Sequence, residues 1–269
     1  MKLKKRTLGL AVAGVLCFGA FGTSHAISID GWTGVGNFGT LGANGDVTLS
    51  PFPDSTQYGY VTTNGGVSGV GLEGVGGDGI VGPTNGSVLT STLFSATAGS
   101  ALEFYFNYVT SDGAGFADYG WARLLNEDLT EAALLFTART TPGGDTAPGF
   151  SMPDPVATLD PAGAPIIAGA PTWSPLGNWS GACFDEGCGY TGWIQASYEV
   201  AAAGNYFLEF GVVNWDDELY DSGLAFDGAT IGGVPIDKPT PTPVPEPLAV
   251  ALLGFGLLGL VATRRRLQR

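Results

Sequence analysis

The sequence predicts an all-β protein, an antiparallel jelly-roll-like β-sandwich, with an apolar helix at each chain end outside the sandwich. Three observations carry this expectation. Glycine supplies 44 of 269 residues, so the chain is cut into short segments by turns. In Ala101–Thr110, Leu102, Phe104, Phe106 and Tyr108 fall on one face while Glu103, Tyr105 and Asn107 fall on the other. Such a period of two, built from aromatic residues, belongs to a half-buried strand. Similar segments recur along the chain with turn residues between them, the pattern of a sandwich rather than of βαβ units.

The elements follow in order. Residues 27–87 are dense in glycine, threonine and asparagine and predict short strands. Turns are expected at Asn44-Gly45-Asp46, Asn64-Gly65-Gly66 and Asn85-Gly86-Ser87. Ser87–Ala98 and Ala101–Thr110 read as consecutive strands, followed by a glycine-rich acidic loop over Ser111–Asp118. Tyr119–Leu125 and Ala132–Arg139 form a hairpin around Asn126-Glu127-Asp128, although glutamate, alanine and leucine there also suit a helix. Thr140–Pro175 lacks periodicity and reads as a long loop. Gly192–Val200, Asn205–Asn214 and Ser222–Ile231 read as strands, with an acidic loop over Trp215–Asp221 before the last. A proline-threonine linker, stiff and extended, is expected over 235–243.

Both ends read as addresses. A basic head, an apolar run from Leu8 to Gly22, and small residues at Ser24 and Ala26 make a secretory signal over residues 1–26, cleaved by signal peptidase after Ala26. The chain closes with Pro245-Glu246-Pro247, fifteen uncharged residues from Leu248 to Ala262, and Arg264-Arg265-Arg266. As a helix those fifteen residues reach roughly 22 Å, short for a bilayer core. The arginine cluster would stay cytoplasmic and leave the body outside.

Pro-Glu-Pro, a short hydrophobic segment and an arginine cluster, in that order over 244–269, resemble the PEP-CTERM sorting tail. The resemblance implies recognition by exosortase in a Gram-negative bacterium that makes exopolysaccharide. It further implies transient inner-membrane anchoring through the C-terminal helix, then release to the cell surface or extracellular matrix. The body also resembles PEP-CTERM proteins of unknown function and, in its last strands, extracellular jelly rolls that include carbohydrate-binding modules.

Composition narrows the chemistry of residues 27–243. They hold three basic residues, Arg123, Arg139 and Lys238, against twenty-four acidic ones, a formal charge of −21. Such a surface repels nucleic acid and anionic polymers and attracts cations. The sole histidine, His25, would leave with the signal, so the mature chain would lack any imidazole for triads, zinc sites or acid–base chemistry. Cys183 and Cys188, an even pair in an exported chain, predict a disulfide that fixes a loop shape. Gly-x-Gly-x-x-Gly begins at Gly34, Gly69, Gly74 and Gly254, but none stands between a strand and a helix as a dinucleotide site requires.

Three kinds of site remain. Calcium takes six to eight oxygen ligands, and Asp30, Asp112, Asp118, Asp216, Asp221 and Asp227 are the candidates, with Asp30 and Asp227 first. Glycan binding draws on exposed rings beside acids. Of Trp32, Trp121, Trp173, Trp179, Trp193, Trp215, Tyr119, Tyr190 and Tyr220, the loop residues Trp215 and Tyr220 stand out. A glycoside hydrolase would use two carboxylates without histidine, and Asp216, Asp217 and Glu218 offer them, yet no signature surrounds them. The leading expectation is a non-catalytic structural or adhesive surface protein associated with exopolysaccharide or biofilm. A glycan binder with structural calcium is the alternative.

Overall fold

Alternation of apolar and polar positions decides which face of each strand is buried, and here two antiparallel sheets bury their apolar faces against one another. The computed structural model of the protein describes residues 26–74 and 82–237. The expected signal segment up to His25, the sorting tail and most of the linker lie outside the described residues.

In chain order the strands are β1 (Thr33–Val35), β2 (Asn37–Leu41), β3 (Tyr58–Thr62), β4 (Val67–Ser68), β5 (Pro83–Thr90) and β6 (Phe94–Ala96). Next come β7 (Ala101–Thr110), β8 (Tyr119–Asn126), β9 (Glu131–Arg139), β10 (Asp145–Ala147), β11 (Thr158–Asp160), β12 (Ala164–Pro165) and β13 (Ile167–Ala168). A 3-10 helix (Ser174–Trp179) precedes β14 (Gly189–Tyr190), β15 (Ile194–Glu199), β16 (Gly204–Trp215), β17 (Ser222–Ile231) and β18 (Val234–Pro235). One sheet runs β1-β5-β16-β8-β9, with β4 and β6 attached at its margins. The sheet facing it runs β11-β15-β7-β17-β3-β2, with β13, β14 and β18 attached, and β10 pairs with β12 in a separate two-stranded sheet. Long strands from distant parts of the chain lie side by side, as where Phe226 of β17 faces Phe106 of β7.

The space between the sheets is filled with aromatic rings. Leu102, Phe104, Phe106 and Tyr108, the expected inner face of β7, are all fully buried. Phe106 stacks on Phe136 at 3.6 Å between centroids, and Phe210 stacks on Phe226 at 4.0 Å. Phe104 meets Phe210 edge-on at 5.3 Å, so three of the central strands share one aromatic cluster. Trp32 stacks against Phe226 and closes this cluster near the start of the domain. The two ends of the described body also meet there, where the Ser28 N–H donates to Asp237 Oδ2 at 3.0 Å. Pro235 pairs in β18 and Ile236 is buried, so the chain stays packed through Asp237 and the expected linker begins later than residue 235.

The hairpin expected over Tyr119–Arg139 is present as β8 and β9, turning between Asn126 and Thr130. Two other expectations change. Asn85-Gly86-Ser87 is not a turn; it lies inside β5, where Gly86 pairs with Val213. A Cβ at Gly86 would stand 2.2 Å from the Val212 carbonyl oxygen, so close strand approach, not chain reversal, requires glycine there. Thr140–Pro175 is not wholly loop, since it holds four short strands, β10 to β13. Their two- and three-residue lengths leave no periodicity for a sequence to display.

The outer face of the first sheet carries its own cluster of Tyr119, Trp121, Val213 and Trp215. Trp121 lies over Gly211 so closely that a Cβ there would be 2.1 Å from its ring. Arg123, on the same sheet, bonds Glu209 at 2.5 Å across β8 and β16.

Truncating the ring common to the two inner faces tests this packing. Phe210→Ala should cost about 3–5 kcal/mol, read from urea unfolding of the mature body. A cost under about 1 kcal/mol would mean that the two sheets do not pack through this ring.

Candidate functional site

At one end of the sandwich the aromatic core gives way to polar side chains, and three loops close over them. On the inner faces, Thr110 ends β7, Asp118 precedes β8, Asn214 lies near the end of β16 and Ser222 starts β17. All four residues are fully buried. Burial without a donor or acceptor would cost each of these groups dearly, so their hydrogen bonds fix the arrangement. Asp118 Oδ1 accepts the Trp215 N–H at 2.7 Å, and Asp118 Oδ2 lies 2.6 Å from Ser222 Oγ. Ser222 Oγ in turn lies 2.8 Å from Thr110 Oγ1, which accepts the Asp112 N–H at 3.0 Å. Tyr108, beneath this chain of contacts, donates its hydroxyl to the Asp118 carbonyl at 2.9 Å. Asp221 Oδ1 accepts from Thr63 Oγ1 at 2.9 Å, and the Asn214 amide nitrogen donates to Asn85 Oδ1 at 3.0 Å.

The loops are joined by their backbones. The Ser111 N–H donates to the Asp221 carbonyl, the Phe184 N–H to the Ser111 carbonyl, and the Ala114 N–H to the Glu186 carbonyl. The segments 111–118, 180–187 and 215–221 therefore form one surface. Cys183 and Cys188 are disulfide-bonded, as expected, with Cα atoms 5.6 Å apart. That bond closes the loop which carries Phe184.

A row of rings lies on this surface. Trp179 stacks on Tyr220 at 4.2 Å, Tyr220 meets Phe184 at 5.0 Å, and Phe184 meets Phe116 edge-on at 5.4 Å. Each of the three loops contributes, together with the end of the 3-10 helix. Phe184 is 49 % exposed, Phe116, Trp179 and Tyr220 are half-buried, and Leu219 beside Tyr220 is 51 % exposed, whereas large apolar side chains are ordinarily drawn into a core. Tyr220 (φ 54°) and Asp216 (φ 81°) both hold left-handed backbone, uncommon for residues with side chains and found where a structure over-determines them.

The three loops hold eight acids and no basic residue: Asp112, Asp118, Asp185, Glu186, Asp216, Asp217, Glu218 and Asp221. Burial pushes the Asp112 carboxyl up to about 7, with the nearby Asp217 charge adding to it. Asp118 is held well above the usual carboxylate range, first by complete burial and then by Asp112. Burial likewise lifts Asp221 to about 6. A protonated Asp118 would donate to Ser222 Oγ, leaving the serine hydroxyl to donate to Thr110.

Of the residues singled out from sequence, the structure brings Asp112, Asp118, Asp216, Asp221 and Tyr220 to this end. Asp227 lies elsewhere, at the irregularity of β17 between Asp227 and Thr230. It accepts from Ser50 Oγ, from Ser55 Oγ at 2.6 Å and from the Gly228 N–H at 2.8 Å. Asp227 thereby pins the segment before β3 to the second sheet. Asp30 is exposed on a turn in which the Trp32 N–H bonds the Ile29 carbonyl. Among the described residues no three acidic or cysteine side chains converge to share a metal. Both oxygens of Asp118 and of Asp227 and one oxygen of Asp221 are engaged by protein donors, so the calcium expectation gains no cradle here.

Trp215 requires a correction. It was expected in the acidic loop with its ring available to a glycan, but it is the last residue of β16 and only 6 % exposed. Its ring packs toward Tyr119 at 6.2 Å on the outer face of the first sheet. The ring that accompanies Tyr220 is Trp179. Sequence reasoning also passed over Phe184 and Phe116. A large apolar ring enclosed by two cysteines five residues apart cannot travel far into a core, and that was the available signal.

No protein-family model matches the chain, and no curated protein matches it.

The raised carboxyls fix the sign of a pH effect. In the unfolded chain these groups ionise near 3.8, but in the fold Asp221 and Asp112 hold their protons to about 6 and 7 and Asp118 beyond the usual range. The folded state then binds more protons, and stability present below the unfolded value is lost as pH rises through the folded ones. The urea midpoint of the mature body should fall between about pH 4 and pH 7 at fixed ionic strength. Asp118→Asn, which keeps the Trp215 contact without a charge, should flatten the fall. A midpoint that rises across this window contradicts the assignment.

Proposed function

We propose that this chain is an exported, non-catalytic adhesive or structural protein whose ring-bearing loop end contacts extracellular polysaccharide. The sandwich is read as jelly-roll-like. The signal ending at Ala26 carries the chain out, and exosortase acts on the Pro245-Glu246-Pro247 tail with its Arg264-Arg265-Arg266 cluster. The mature body resides at the cell surface or in the biofilm matrix of a Gram-negative bacterium.

The observation that carries this reading is the row Trp179–Tyr220–Phe184–Phe116, drawn from separate loops onto one surface. Rigid rings offer large contact area at small entropic cost, which is why tryptophan and tyrosine recur in recognition surfaces. Loops on a rigid sandwich are the usual place for such a surface. The catalytic alternative draws less support. Asp216, Asp217 and Glu218 follow one another on a single turn, and Asp217 Oδ1 is taken by the Leu219 N–H at 2.8 Å. Glycoside hydrolysis needs two carboxyls facing each other across the bond to be cut.

The mature protein should co-sediment with the insoluble exopolysaccharide of its own producing cells. Trp179→Ala should weaken that association about tenfold, the cost of about 1.4 kcal/mol for one ring of a recognition surface. Equal recovery of the protein with and without the polysaccharide would defeat the proposal.

A further inference from the structure

Resting on that reading, we infer that the loop end selects a polysaccharide carrying free, protonated amino groups, such as a partly deacetylated hexosamine polymer. The argument is one of charge around rings. A sugar laid on Trp179, Tyr220 and Phe184 would meet the two loops that carry Asp185 and Glu186, directly after Phe184, and Asp216, Asp217 and Glu218, shortly before Tyr220. Asp185, Glu186, Asp216 and Glu218 are exposed, and Asp217 is half-buried. None of the three loops contains lysine, arginine or histidine. Arg123, one of the body's few bases, is engaged by Glu209 and Glu131 across β8, β9 and β16.

An anionic polysaccharide would meet like charge over this whole surface, and like-charge juxtaposition is how an interface rejects wrong partners. A neutral glycan would gain the rings alone. An amino-bearing glycan gains the rings, cation–π attraction at their faces and charge-assisted bonds to the carboxylates. The rigidity of the row strengthens the preference. Phe184 is held by the Cys183–Cys188 bond and by its N–H to Ser111, and Tyr220 sits between Asp217 and the buried Asp221. The loop backbones that carry these carboxylates are thus tied to the rings.

The test is calorimetric titration of the full mature protein, at mildly acidic pH where the amines are protonated. Four probes are used: a β-1,4-linked glucosamine hexamer, its N-acetylated counterpart, a polyguluronate hexamer and hexalysine. The glucosamine hexamer should bind at least tenfold more tightly than the N-acetylated one, with an affinity that falls as salt is added. Polyguluronate should show no binding. Glu186→Gln/Glu218→Gln alters two exposed side chains, so the fold is kept. It should erase most of the preference for the amino sugar while leaving binding of the N-acetylated hexamer unchanged. Trp179→Ala should weaken both. Equal affinity for the two hexosamine probes, or tighter binding of polyguluronate, overturns the amino-sugar inference and leaves polysaccharide binding standing. Hexalysine binding as tightly as the glucosamine hexamer and indifferent to Trp179→Ala also overturns it, because charge alone would then explain the effect. Absence of binding to every sugar overturns both.

Discussion

The feature on which the loop end depends is the burial of Asp118. A carboxyl with no exposed surface must either find donors or keep its proton; Asp118 finds donors, and burial pushes its carboxyl well above the usual range. Its oxygens meet the Trp215 backbone and Ser222, and Ser222 meets Thr110. Through these contacts the starts and ends of β7, β8, β16 and β17 are held together where the aromatic core stops. The loops leaving those strands inherit their positions from that junction. The rings of Phe116 and Tyr220 lie in two of these loops, and the backbone bond from Phe184 to Ser111 brings the disulfide loop to the same place.

The division between core and loop end follows from what each can bury. Between the sheets, Phe104, Phe106, Phe136, Phe210 and Phe226 fill the space with rings that carry no polar atom. At the loop end the strands separate, and backbone groups of the loops need partners. Hydroxyls and carboxyls supply them. Such a layer is specific but sensitive, because each group is costly when its partner is lost. The outermost residues, freed from that duty, carry rings and charge to solvent.

Much of the sandwich was legible in the sequence. The expected inner face of Ala101–Thr110 is buried residue for residue, although Asn107 and Val109 on the other face are buried too, and Ser222–Ile231 matched its strand at both ends. Asn85-Gly86-Ser87 misled because turn chemistry and close strand approach both call for glycine beside small polar residues. Trp215 misled by a single position: ending β16 at Asn214 puts it in the loop, while extending the strand by one places it with Glu209, Gly211 and Val213 on the outer face. The site was legible only in part. Its acids stood out as runs in the sequence, but its rings come from segments some forty to one hundred residues apart. Proximity of that kind arises from strand pairing, which no local pattern records.

What distinguishes this loop end from an ordinary acidic surface is that burial holds its innermost carboxyl well above the usual carboxylate range. The direct test is a carbon-13 NMR titration of the Asp118 carboxyl in the mature protein. The carboxyl carbon should keep the shift of a protonated acid well beyond the range in which an ordinary aspartate ionises. Ionisation within the ordinary range would contradict this, because burial would then not govern the carboxyl at the junction of the strands.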